Sequence, residues 1–244
     1  MTRPSLTAFF QGKLSQESLT RRYIPAILGI FALLLLIARL LLPYNPTYPY
    51  DWTTSTISRL GWPQENTTGW VFFNLAFLFL GIVTLPLVPF YFRKFSVVDK
   101  WWAIVIALSL LVASVGEMLL GAIPNFNTAD MIFTNLHKVD ALVAFFGCYF
   151  AAISASVLLL HFGPRRTDII ISPRMLPRIY TIVLAYGIFA VFMMLFGVPK
   201  QDLAYYVYDP ATPRILALPL WEWQSFVIAL FLGIAPSYFN IKYR

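Results

Sequence analysis

Six apolar runs, each about as long as the hydrocarbon core of a bilayer is thick, occupy most of this chain and are separated by short polar stretches. They cover positions 23–42, 70–92, 101–123, 136–162, 177–198 and 216–239. In hydrocarbon every backbone amide must find its partner within its own segment, so runs of this kind form helices. The expected fold is all-α: a polytopic integral membrane bundle of six transmembrane helices. Pro25, Pro86, Pro89, Pro219 and Pro236 are expected near helix ends, where a missing amide costs least. The chain accordingly divides into an N-terminal segment over 1–22, one six-helix domain over 23–239 and a tail over 240–244.

Composition removes the main alternatives. Of 244 residues, 59% are hydrophobic and 12% charged, too few charges to cover a soluble surface. A net charge of +7 would suit nucleic acid, but the cations sit at helix ends and not on a basic, aromatic-interleaved face, so no nucleic-acid partner is expected. The single cysteine, Cys148, lies inside an apolar run, which leaves no intrachain disulfide and no paired-cysteine metal motif. The first 22 residues carry Arg3, Lys13, Arg21 and Arg22 and are too long and irregular for a cleaved signal, so the first helix is expected to stay as an anchor. Leu6, Phe9, Phe10 and Leu14 recur at helical spacing and suggest a short helix lying on the membrane surface.

Basic residues set the expected orientation. Thirteen lie in the terminal segments and the two connections on the same side as the termini, whereas four (Arg59, Lys138, Lys200 and Arg214) lie on the other side. By the positive-inside rule both termini are cytoplasmic. The outer connections are longer and aromatic, with Trp52, Trp62, Tyr205, Tyr206 and Tyr208 read chiefly as interfacial anchors.

Ionisable groups inside a spanning helix cost a few kcal/mol unless they find a partner or water. Four positions stand out: Glu117 in helix three, Asp140 with His137 one turn away in helix four, Glu222 opening helix six, and Arg39 near the outer end of helix one. All are expected at one membrane level. Asp140, Ala144, Gly147, Ala151 and Ser154 form a small-residue stripe that turns Asp140 into the bundle, and Ser114, Glu117 and Gly121 share a face of helix three. Ion pairing that fixes helix register, with Arg39 partnering a carboxylate, is one reading; an outer pocket for a lipid headgroup or small polar molecule is another. One histidine with three carboxylates is a poor zinc set, so no metal or cofactor is expected.

The hydroxyl-rich run Thr53, Thr54, Ser55, Thr56 and Ser58 reads as an ordinary loop or helix cap. A serine nucleophile there would have only His137 as base, and no GxSxG elbow is present. Asn66-Thr67-Thr68 is an acceptor sequon on the expected outer side, meaningful only in a host that glycosylates. The 27-residue first outer loop is long enough to fold back, and Ser55 and Ser58 are expected to roof a site formed by Glu117, His137, Asp140 and Glu222, with Arg39 or Arg59 compensating charge.

Three segments resemble a known group. Tyr50-Asp51-Trp52 through Ser55-Thr56-Ile57-Ser58-Arg59-Leu60-Gly61, with Asn74 in helix two, and Gly121-Ala122-Ile123-Pro124 followed by Leu136-His137 and Ala144, resemble the signatures of the prokaryotic membrane family called domain of unknown function 998. A more distant likeness, carried by Ile57 to Gly61 and by Glu222-Trp223, is to the six-helix group of the DRAM autophagy modulators and a GPI-lipid remodelling factor. Arg59 stands where that group has an acidic residue. Neither resemblance implies a catalytic mechanism.

The function expected is that of a non-catalytic protein of a prokaryotic cell membrane, with membrane lipids and other membrane-protein subunits as partners. The alternatives are an outer-leaflet lipid-headgroup hydrolase or transferase and a small-solute transporter. The second alternative is weakened by the absence of internal repeats.

Overall fold

The computed structural model of the protein describes residues 10–45, 50–51, 55–124, 131–165, 169–172, 175–197 and 218–243. Six helices are long and apolar enough to cross a membrane. The first span is α1 (Gln16–Leu40), whose Leu19–Tyr23 stretch is π-helical. The second is split into α2 (Trp70–Thr84) and α3 (Leu87–Ser96). The remaining spans are built on α4 (Lys100–Ala122), α5 (Met131–Val157), α6 (Leu176–Phe192) and α7 (Leu218–Ile234). The start of the first helix and the end of the last meet on one face, where Tyr238 Oη donates to the Thr20 carbonyl at 3.4 Å. We call this the terminal face and its opposite, carrying residues 55–69, the loop face.

Two features depart from the sequence expectation. Pro86 is not at the end of a span but inside one: lacking an amide, it leaves the helix before it without a donor, and α2 stops at Thr84 with α3 restarting at Leu87. The fold is also not purely helical. On the terminal face β1 (Ile169–Ser172) and β2 (Asn240–Tyr243) pair antiparallel, Ile169 opposite Tyr243 and Ser172 opposite Asn240. Neither short segment has a helical or strand period long enough to identify it.

Glycines and alanines bring the helices together. α4 lies between α2 and α5. A Cβ on Gly81 would sit 2.6 Å from the Ser114 carbonyl, and one on Gly121 would sit 2.5 Å from the Asn74 carbonyl, so α2 and α4 touch backbone to backbone. On the other side, Gly116 would meet Ala144 N and Gly147 would meet Ala113 N, each at 2.5 Å. The stripe read on helix four is therefore the α4 contact, with Ala144, Ala151 and Ser154 buried in it. Toward the loop face the rings of Phe31, Phe77 and Phe226 from α1, α2 and α7 close the bundle at centroid separations of 5.5 to 5.7 Å.

The N-terminal segment turns sharply. Gly12 has φ +63°, a conformation that favours glycine, and presses against the α3 backbone at Phe90. Leu6 and Phe9 of the expected surface helix lie outside the described residues; Phe10 is exposed and Leu14 packs on the core.

Candidate functional site

The loop face is closed by residues 55–69, which fold down onto the ends of α1, α2 and α7. A 3-10 turn, Ile57–Gly61, points Ile57 and Leu60 into the same apolar cluster as Phe73 and Phe77. Gly61 lies so close to Phe73 that a Cβ would sit 2.4 Å from its ring. The turn presents Ser58 to α7, and its hydroxyl donates to Glu222 Oε1 at 2.6 Å. Trp223 Nε1 donates to the Ser55 carbonyl at 3.1 Å. Two residues that open α7 thus hold two serines of the first connection.

Among the described residues Arg59 is the most buried cation of this face, 2% exposed, and its Nε donates to Glu65 Oε2 at 2.5 Å while Nη1 donates to Ser55 Oγ at 3.1 Å. Such a charge is tolerated in a dry interior only with a paired, hydrogen-bonded counter-charge. Asn66, fully buried, donates through Nδ2 to the carbonyls of Ala38 and Leu60 at 3.0 and 2.8 Å and accepts from Gly69 N at 2.9 Å. It locks the loop to the end of α1. Arg39 donates to the Tyr50 carbonyl at 3.4 Å and lies 4.9 Å over the Tyr50 ring. The Tyr50 hydroxyl is held well above the ordinary tyrosine range, first by burial and then by Glu222, with Arg39 and Arg59 acting the other way.

These contacts correct several expectations from the sequence. Arg39 makes no ion pair among the described residues; a ring and a carbonyl hold it in place of the carboxylate partner that was one of the readings. Trp62 is 1% exposed and is a core residue, not an interfacial anchor. The sequon asparagine is buried with its amide nitrogen engaged, so the folded protein has no free acceptor at Asn66. Trp52, Thr53, Thr54, Tyr205, Tyr206 and Tyr208 lie outside the described residues.

Glu117 belongs to a different environment from Glu222. Its Oε2 accepts from Thr84 Oγ1 at 3.3 Å, and Thr84 is in turn 2.9 Å from Ser114 Oγ, just above the break in the second span. It lines a cavity of about 30 Å³ with Phe77, Phe145, Cys148 and Phe226, room for one or two waters. Glu117 also shares cavity walls with Ala229 and Leu230, which lie about two turns, roughly 10 Å, beyond Glu222 along α7. The two carboxylates thus have separate partners, Thr84 for Glu117 and Ser58 for Glu222.

His137 and Asp140 are each 5% exposed. His137 lies beside the backbone of Ile123, yet neither ring nitrogen has a hydrogen-bond partner among the described residues, and Asp140 Oδ2 has none either. No group of three or more His, Cys, Asp or Glu side chains able to hold a metal ion exists among the described residues. Of the eight residues singled out, hydrogen bonds join Ser58 with Glu222 and Ser55 with Arg59, and Arg39 approaches this cluster through Tyr50. Glu117 stands apart with Thr84 and Ser114.

Sequence reasoning does not single out Glu65 or Tyr50 as members of the cluster, and it reads Asn66 only as part of a sequon, not as a buried hydrogen-bonding residue. Glu65 carries a usable signal: it is the only carboxylate between Asp51 and Asp99, in the same loop as Arg59. Comparison with protein-family profiles, with characterised proteins and with solved structures gives no match.

Proposed function

We propose that this is an integral protein of a prokaryotic cell membrane, with both termini cytoplasmic, that engages lipid without catalysing a reaction on it. The observation that carries the reading is a lateral groove of about 430 Å³ between α4 and α5. Its floor includes the small residues Ser109 and Gly147, and Val112, Val143, Phe146 and Phe150 line its walls. The volume lies within the rough 300–1,000 Å³ of small-molecule sites, and the lining matches an acyl chain and not a polar solute. The serines of the loop face support the same reading, since they serve in the network that fastens the loop. Association with other membrane-protein subunits is part of this proposal. The likeness to the domain of unknown function 998 family, on Ser55 to Gly61 and Gly121 to Pro124, is consistent with it and supplies no reaction.

The test is native mass spectrometry of protein released from mild detergent. Retained lipid is expected, with adducts reduced in Ser109→Trp, which fills the groove. Protein that carries no lipid under conditions that preserve the fold, or a variant that retains it undiminished, overturns the reading.

A second reading rests on His137 and Asp140, one turn apart and both buried with unpartnered polar atoms. Such a pair suits proton transfer to a headgroup entering from the loop face. Release of headgroup from phospholipid by purified protein, abolished in His137→Ala, would establish it. Its absence leaves the non-catalytic reading.

A further inference from the structure

The terminal face holds a second, chemically opposite groove. It is open, about 530 Å³ in volume, and is built from three distant parts of the chain: Lys13 and Ser15 before α1, Phe90, Arg93 and Lys94 of α3, and Ile241 of β2. The positive φ of Gly12 folds the N-terminal segment onto α3, where Arg93 donates to the Gln11 carbonyl. Lys94 is half-buried; its ammonium lies 5.5 Å over the Phe90 ring and donates to the Ser237 carbonyl at 2.9 Å.

Three basic side chains therefore line one groove. Among the described residues none of Lys13, Arg93 and Lys94 is paired with a carboxylate. The acids nearest in sequence are committed elsewhere: Glu17 pairs with Arg21 at 3.0 Å, and Asp99 caps α4 through Trp102 N at 3.0 Å. Like charges held together cost free energy unless an anion offsets them, and Arg and Lys are the usual partners of phosphate. The groove also opens where α1 begins and α3 ends, and basic residues at the ends of apolar helices are attracted to anionic headgroups.

From this juxtaposition we propose that the groove formed by Lys13, Arg93 and Lys94 binds an anionic phosphate group, that of a lipid headgroup. The site is separate from the lateral groove between α4 and α5 and does not depend on it.

The experiment uses the full chain in detergent, with the thermal unfolding midpoint followed as phosphatidylglycerol, phosphatidylcholine or inorganic phosphate is added. Phosphatidylglycerol is expected to raise the midpoint and phosphatidylcholine to leave it nearly unchanged. Lys13→Gln, on an exposed side chain with no structural bond, is expected to weaken the response about fivefold, and Lys13→Gln with Arg93→Gln further. Lys100→Gln and Arg165→Gln remove equal charge from the same face and should leave it intact. Equal stabilisation by the two lipids, or equal weakening in the Lys100→Gln protein, overturns the proposal. Inorganic phosphate that reproduces the whole effect, lost in the same variants, overturns the lipid source and assigns the site to soluble phosphate.

Discussion

The hydroxyl of Ser58 reaches across 164 residues of sequence to the Glu222 carboxyl, 2.6 Å away. This bond fastens the first connection to the last spanning helix. Glu222 Oε2 has no partner among the described residues, so Ser58 carries much of what satisfies that carboxyl. Ser58→Ala is expected to destabilise the protein by about 1–3 kcal/mol, the cost of leaving a buried acceptor unmet. A lowered thermal midpoint and faster proteolysis at the exposed Thr67 and Thr68 would be the readouts; an unchanged midpoint would show that the bond contributes nothing.

Arg59 and Glu65 should behave as a coupled pair. Removing one partner strands a charge in a dry site, so Glu65→Ala is expected to cost roughly 3 kcal/mol or more. The double variant Arg59→Met, Glu65→Leu should be less destabilised than the single effects added together. Additive losses in the thermal double-mutant cycle would mean that the two groups are independent.

Asn66 satisfies two carbonyls and one amide that have no route to solvent. Asn66→Ala is expected to lower stability by at least about 2 kcal/mol. In a glycosylating host the folded protein should show no mobility shift on removal of N-glycans. A shift abolished by Thr68→Val would contradict the buried amide.

Gly116 packs on the Ala144 backbone with no room for a methyl group. Gly116→Ala should therefore cost about 1–3 kcal/mol through forced separation of α4 and α5, whereas Gly29→Ala, with nothing within 4 Å of its Cβ position, should be neutral or slightly stabilising. The pair of thermal midpoints checks this directly.

Orientation is open to cysteine labelling at Thr67 and Arg165, both exposed, with little background from the buried Cys148. An impermeant reagent is expected to reach position 67 in intact cells and position 165 only after lysis. The reverse pattern would invert the topology.

The six long apolar helices were legible in the sequence because length and hydropathy are local properties, and runs of that length and hydropathy leave the backbone one economical way to satisfy itself. The small-residue stripe of helix four was legible for a similar reason, since helical period alone puts Ala144 and Gly147 on one face. Pro86 shows where local reading ends: a proline's missing amide is certain, but whether it ends a span or breaks one depends on how the chain packs beyond it. The candidate site was legible as a set of residue types and illegible as a set of partners. Helix spacing places Glu117 and Glu222 along their own axes, whereas their relative depth depends on how α4 and α7 slide past one another. Only packing decided that Glu117 meets Thr84, that Glu222 meets Ser58, and that Arg59 finds Glu65 rather than solvent. The basic groove on the terminal face is likewise a tertiary property: its three cations come from two segments separated by about eighty residues, and the turn at Gly12 joins them.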